Sequence, residues 1–100
     1  MSSGLRPSRE LQELAKRLAA EPDVAFASVF GSVARGTARP DSDIDVGVLL
    51  DAPLGSARRR ELVEALAQVT GRPVDLVDLR EAGPELLLSA LRGERLIGRG

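Results

Sequence analysis

Two strand-length apolar runs, at 43–50 and 74–79, flank a helical segment from about Ser56 to Thr70, and that spacing leaves few folds open. From Asp43 to Leu50 apolar residues alternate with others, the period of a strand with one buried face. Leu62, Val63, Leu66 and Val69 then recur at helical spacing, with Gly71 suited to the left-handed position that ends a helix and Pro73 just beyond. Val74 to Leu79 reads as a further strand. Strands joined through a helix of this length become parallel neighbours through a right-handed crossover, so the chain must build a sheet with helices packed against it.

The flanking segments extend that plan. Leu11, Leu14, Ala15, Leu18 and Ala19 mark an amphipathic helix from Glu10 to about Ala20, ended by Glu21-Pro22-Asp23. Val24 to Phe30 is almost wholly apolar, as expected of a strand covered on both faces. Gly31-Ser32 breaks it, and residues 33–42 form a connection of turn formers with at most one helical turn. Pro84 suits the first turn of a last helix whose leucines, Leu86 to Leu91, read as core, and Arg95-Leu96-Ile97 adds a short edge strand. The expected fold is α/β (α+β), in the order α-β-β-α-β-α, with a small mixed sheet on helices and residues 1–100 as one domain.

Composition narrows the chemistry. The chain has no cysteine and no histidine, which removes disulfides, thiolate or imidazole zinc sites, catalytic thiols and every histidine base. Carboxylates, hydroxyls, arginines and hard metal ions remain. With 14 cationic and 15 anionic residues the net charge is −1, so no basic field draws in a nucleic-acid backbone or an anionic membrane. Phe26 and Phe30 are the only aromatic residues, too few for a base-stacking platform. The N-terminus lacks an apolar signal segment and no run is long enough to span a bilayer, so a soluble, cytoplasmic protein is expected.

Asp43 and Asp45 lie two apart on a strand and therefore point to one side, while Ile44, Val46, Val48 and Leu50 point to the other. Two steps of strand rise set their Cα atoms about 6.6 Å apart, which lets both carboxylates reach a pair of metal ions roughly 3.5–4 Å from one another. Aspartate is a poor strand former and like charges on one face repel, so a compensating cation is expected, Mg²⁺ or Mn²⁺ rather than zinc. The bland reading is an edge strand with two hydrated aspartates. Asp75, in an apolar run that a parallel neighbour would set beside the first two, weighs against it. Asp78 points to the opposite side from Asp75, as a solvated or capping residue at the strand end. Gly31 permits close approach of a ligand to the main chain, and Ser32 stands where a helix N-cap would, beside free N–H groups that suit a phosphate. Two roles are open to Arg35: a bidentate contact to phosphate, or a surface pair with Asp41.

Gly31-Ser32, followed by Asp43-Ile44-Asp45, a helix and Asp75 in an apolar strand, resembles the signature of the DNA polymerase beta superfamily of nucleotidyltransferases. The run from Gly31 through Val46 is most similar to its smallest members, the minimal nucleotidyltransferases (MNT). The resemblance covers roughly half the chain, from the first strand to the third. It implies that Gly31 and Ser32 hold the triphosphate of ATP, with Ser42 supporting the loop. It further implies that Asp43 and Asp45 bind two Mg²⁺ ions, and that Asp75 completes the metal site and helps activate the acceptor hydroxyl.

The same resemblance implies a partner, since MNT proteins are typically encoded beside a helical HEPN protein, often a ribonuclease toxin, which several of them adenylylate. The leading expectation is transfer of AMP from ATP to a tyrosine of such a partner. Against it stand an antitoxin that masks its partner by contact alone, and a transferase acting on a small molecule. Nucleic acid and membrane are not expected partners, and a homodimer is open.

Overall fold

The computed structural model describes residues 9–31 and 43–98. The expected connection at 33–42, and with it Ser32, Arg35, Asp41 and Ser42, lies outside the described residues. Within them the order is α1 (Arg9–Ala19), β1 (Val24–Phe30), β2 (Ile44–Leu50), α2 (Ser56–Thr70), β3 (Val74–Asp78), α3 (Pro84–Arg92) and β4 (Glu94–Gly98). The strands form one mixed sheet in the order β3-β2-β1-β4, with β1 antiparallel to both neighbours and β2 parallel to β3. The parallel pair is the one joined through α2, as the crossover argument requires. The Arg95-Leu96-Ile97 run becomes β4 at the edge beside β1, one strand more than the α-β-β-α-β-α order counts.

The sheet has two unlike faces. On one, Ala27, Val29, Ile44, Val46, Val48 and Leu76 pack with Leu11, Leu14 and Leu18 of α1 and with Leu62 and Leu66 of α2 into the main core. Those helix positions recur every three to four residues, so each helix buries one stripe and leaves its charges outside. On the other face, Phe30 and Leu79 pack with Ala90 of α3 in a smaller cluster. The Ser28 hydroxyl, buried on this side, donates to the Ala90 carbonyl at 2.8 Å and ties α3 to β1. β1 is thus covered on both faces, which explains its unbroken apolar run.

α2 ends as the sequence predicts, with Gly71 at φ 71° donating its N–H to the Ala67 carbonyl at 2.7 Å. α3 departs from expectation. Its leucines were expected in the core, yet Leu86, Leu88 and Leu91 are 38%, 47% and 59% exposed, with only Ala90 fully buried and Leu87 partly so. At 100° per residue, consecutive leucines cannot all face one core, and a nine-residue helix lying on one sheet buries a single stripe.

A charged latch holds α2 to the turn before β1. Arg58 donates to Glu21 at 2.7 Å and through Nε to Asp23 at 3.0 Å, and Glu21 also takes Arg17. Hydrogen bonding from Arg58 holds both carboxyls below their usual range and raises the guanidinium pKa in turn. Arg72 pairs with Glu10 of α1 at 2.6 Å, closing the other end of the same helix layer. No described helix is long and apolar enough to cross a membrane.

Candidate active site

The sheet face that carries α3 also carries the aspartates. Ile44, Val46 and Val48 are fully buried against α1 and α2, so Asp45, one residue out of phase, faces the other way. Asp43, immediately before β2, continues that alternation and is exposed. In the parallel register Asp45 stands opposite Asp75, so their side chains leave the sheet on the same face. Asp45 is half-buried and Asp75 is exposed. Farther along β2 on that face, a Cβ at Gly47 would lie 2.9 Å from Leu79 and 3.4 Å from Ala90. The bare backbone there lets α3 approach the sheet.

Gly31 joins this group from β1. Phe30 is the Cα partner of Asp45, and the chain turns directly afterwards at Gly31, with φ 77°. A side chain there would run into the Asp45 carboxylate. Four of the seven residues singled out from the sequence, Gly31, Asp43, Asp45 and Asp75, therefore gather at one end of one sheet face. Ser32, Arg35 and Ser42 lie outside the described residues. Asp78 is a capping residue but not a solvated one: it is 7% exposed and accepts the N–H groups of Leu54 at 3.3 Å and Arg80 at 3.0 Å.

Among the described residues no group of three acidic side chains is placed to hold a metal ion. One or two carboxylates suffice for a hard cation nonetheless. Mg²⁺ keeps several waters and is usually held by one or two carboxylates together with substrate phosphates, whereas a zinc site needs histidine or cysteine ligands that this chain lacks.

The model of a family described as polymerase beta, nucleotidyltransferase matches residues 12–99. The chain belongs to this nucleotidyltransferase family. Among curated proteins it is 38% identical over 78 residues to the protein adenylyltransferase MntA of Shewanella oneidensis; the match takes in 77% of this chain and spans 56% of that relative's length. Among solved structures, it matches a chain of a toxin–antitoxin crystal structure with AMP-PNP at TM-score 0.78 and 35% identity, over 91% of this chain and 74% of the other. It also matches a chain of the tri-AMPylated Shewanella oneidensis HEPN toxin in complex with MNT antitoxin, at TM-score 0.69 and 32% identity, over 89% and 70%. The nucleotidyltransferase resemblance and the mixed α/β fold read from the sequence are both borne out.

The sequence reading missed two features of this nucleotidyltransferase face. The closeness of Gly31 to Asp45 follows from a strand register that no local pattern reveals. The exposed leucines of α3 did carry a signal, because Leu86-Leu87-Leu88 is too continuous for a one-sided helix.

Proposed function

We propose that this chain transfers AMP from ATP to a hydroxyl, a tyrosine on a helical HEPN-type partner, and silences that partner by the modification. The observation that carries the reading is the register of Asp45 with Asp75, with Asp43 continuing the same face beside the Gly31 turn. Neighbouring carboxylates on one face repel unless a cation joins them, and a surface used only for contact gains nothing from that repulsion. Similarity to an adenylyltransferase and to chains from toxin–antitoxin complexes supports the same choice.

Asp43, Asp45 and Asp75 would hold divalent cations, two Mg²⁺ with Mn²⁺ as a substitute. Bound there, such ions neutralise the triphosphate and the departing pyrophosphate. Gly31, Ser32 and Ser42 are assigned to the triphosphate side, and Arg35 to a phosphate oxygen. In the transfer, the acceptor oxygen bonds to the α-phosphorus as the bond to pyrophosphate breaks, and Asp75, exposed on the edge strand, takes the hydroxyl proton. The acceptor belongs to another protein, since this chain has no tyrosine. Leu86, Leu88 and Leu91 give the aspartate-bearing side an apolar shoulder on which that partner rests. An ATP donor and a toxin partner set the reaction in the cytoplasm.

The same apolar shoulder also suits an antitoxin that masks its partner by contact alone. The two readings separate in a neutralisation assay with the partner encoded by the neighbouring gene. Under the transfer reading Asp43→Asn still binds the partner but no longer neutralises it. Neutralisation that survives Asp43→Asn supports contact alone.

A further inference from the structure

We propose that Gly31 is the positioning residue for Asp45: the missing side chain at residue 31 is the space in which the Asp45 carboxylate stands. The proposal rests on the reading of Asp45 as a working carboxylate, and it adds a role for Gly31 beyond any contact with phosphate.

Among the described residues, chain neighbours aside, the three heavy atoms nearest to a Cβ at Gly31 all belong to the Asp45 side chain: Oδ2, in collision, then Cγ at 3.4 Å and Cβ at 3.8 Å. Asp45 is fixed on a central strand, paired with Phe30 on one side and Asp75 on the other, so its Cα cannot retreat. A methyl group at residue 31 must therefore rotate the carboxylate about its side-chain torsions, away from its present position against Gly31.

Gly31 also has a positive φ, which by itself disfavours other residues, and backbone strain must be separated from the collision. The molecule contains its own control. Gly71 has nearly the same φ, 71° against 77°, yet among the described residues nothing but its chain neighbours lies within 4 Å of a Cβ built there. Gly71→Ala thus reports backbone strain, while Gly31→Ala reports strain plus the encounter with Asp45.

The experiment is a pair of double-mutant cycles on the full chain without metal, combining each glycine substitution with Asp45→Ala and reading urea midpoints. Gly31→Ala should lower the midpoint more than Gly71→Ala does, and the excess should vanish once Asp45 is alanine. Equal shifts from both glycine substitutions, unchanged by Asp45→Ala, would overturn the proposal. Should Gly31→Ala fail to fold, recovery of folding by Asp45→Ala supports the contact, and continued failure beside a folded Gly71→Ala counts against it. A second readout is Mn²⁺ binding in the presence of ATP, followed by electron paramagnetic resonance. A carboxylate turned away should weaken binding at least tenfold in Gly31→Ala and leave Gly71→Ala unchanged; wild-type affinity in a folded Gly31→Ala overturns positioning. If Asp45→Ala itself binds Mn²⁺ as wild type does, Asp45 is no metal ligand, and the urea cycle still decides whether Gly31 makes its room.

Discussion

Replacing Asp75 with asparagine should stabilise the chain when no divalent ion is present, and should reduce what ion and nucleotide add. Asp75 and Asp45 are Cα partners on neighbouring parallel strands. Adjacent strands lie about 4.8 Å apart, which sets the two Cα atoms roughly 5 Å from each other, the separation of carboxylates that leave the sheet straight. At that separation two like charges repel by about 0.8 kcal/mol in water and about 3 kcal/mol at an effective dielectric of 20. Asp75 is exposed, so the lower end applies, about 0.5–1 kcal/mol. For a domain of this size that is a rise in Tm of roughly 3–6 °C. The gain should disappear in 1 M monovalent salt, where the screening length falls to about 3 Å. With Mg²⁺ and ATP the order should reverse. Wild type gains about 2.7 kcal/mol at a hundredfold excess over Kd, and the variant, short of one carboxylate, gains less. Thermal melts at low salt, high salt and with Mg²⁺–ATP read all three effects. An Asp75→Asn chain that melts below wild type at low salt, or gains as much from Mg²⁺–ATP, would refute the reasoning.

Arg58→Met should cost roughly 1–2 kcal/mol at pH 7, the lower part of the range for charged hydrogen bonds because the latch is partly exposed. Glu21 and Asp23 have lowered pKa values in the folded chain, so their contribution is present above their unfolded values and lost as pH falls through the folded ones; the difference between wild type and variant in urea unfolding should shrink below about pH 4. Leu66→Ala, at a fully buried position between α2 and the sheet, should destabilise by roughly 2–5 kcal/mol in the same assay. Leu88→Asp combined with Leu91→Asp should change stability by no more than about 0.5 kcal/mol yet weaken the complex with the partner at least tenfold by analytical ultracentrifugation, since both side chains already face solvent.

The order of elements was legible because each carries a local period. Leu11, Leu14 and Leu18 declare a helix, Ile44 to Leu50 a strand, and Gly71 a helix end, and none needs knowledge of its neighbours. The alternation about Ile44 likewise sets Asp43 and Asp45 on one side. What stayed hidden depends on register and packing between distant segments. That Asp45 rather than Asp43 is the residue opposite Asp75, that Gly31 leaves room for its carboxylate, and that Arg58 reaches Glu21 and Asp23 across 35 or more residues are facts of the assembled sheet and helices. α3 misled for a related reason: leucines promise burial, but a short helix with one sheet beneath it can bury only part of its circumference.

The central claim is that the carboxylate row makes this chain a transferase acting on another protein, and intact-mass spectrometry tests it most directly. The chain and its Asp43→Asn variant are each incubated with ATP, Mg²⁺ and the neighbouring gene's product, and every protein is weighed. The account predicts that the partner gains one or more AMP units with wild type and none with Asp43→Asn, while the chain itself, having no tyrosine, gains no tyrosyl-AMP. A stable complex whose partner keeps its original mass with the wild-type chain would contradict it.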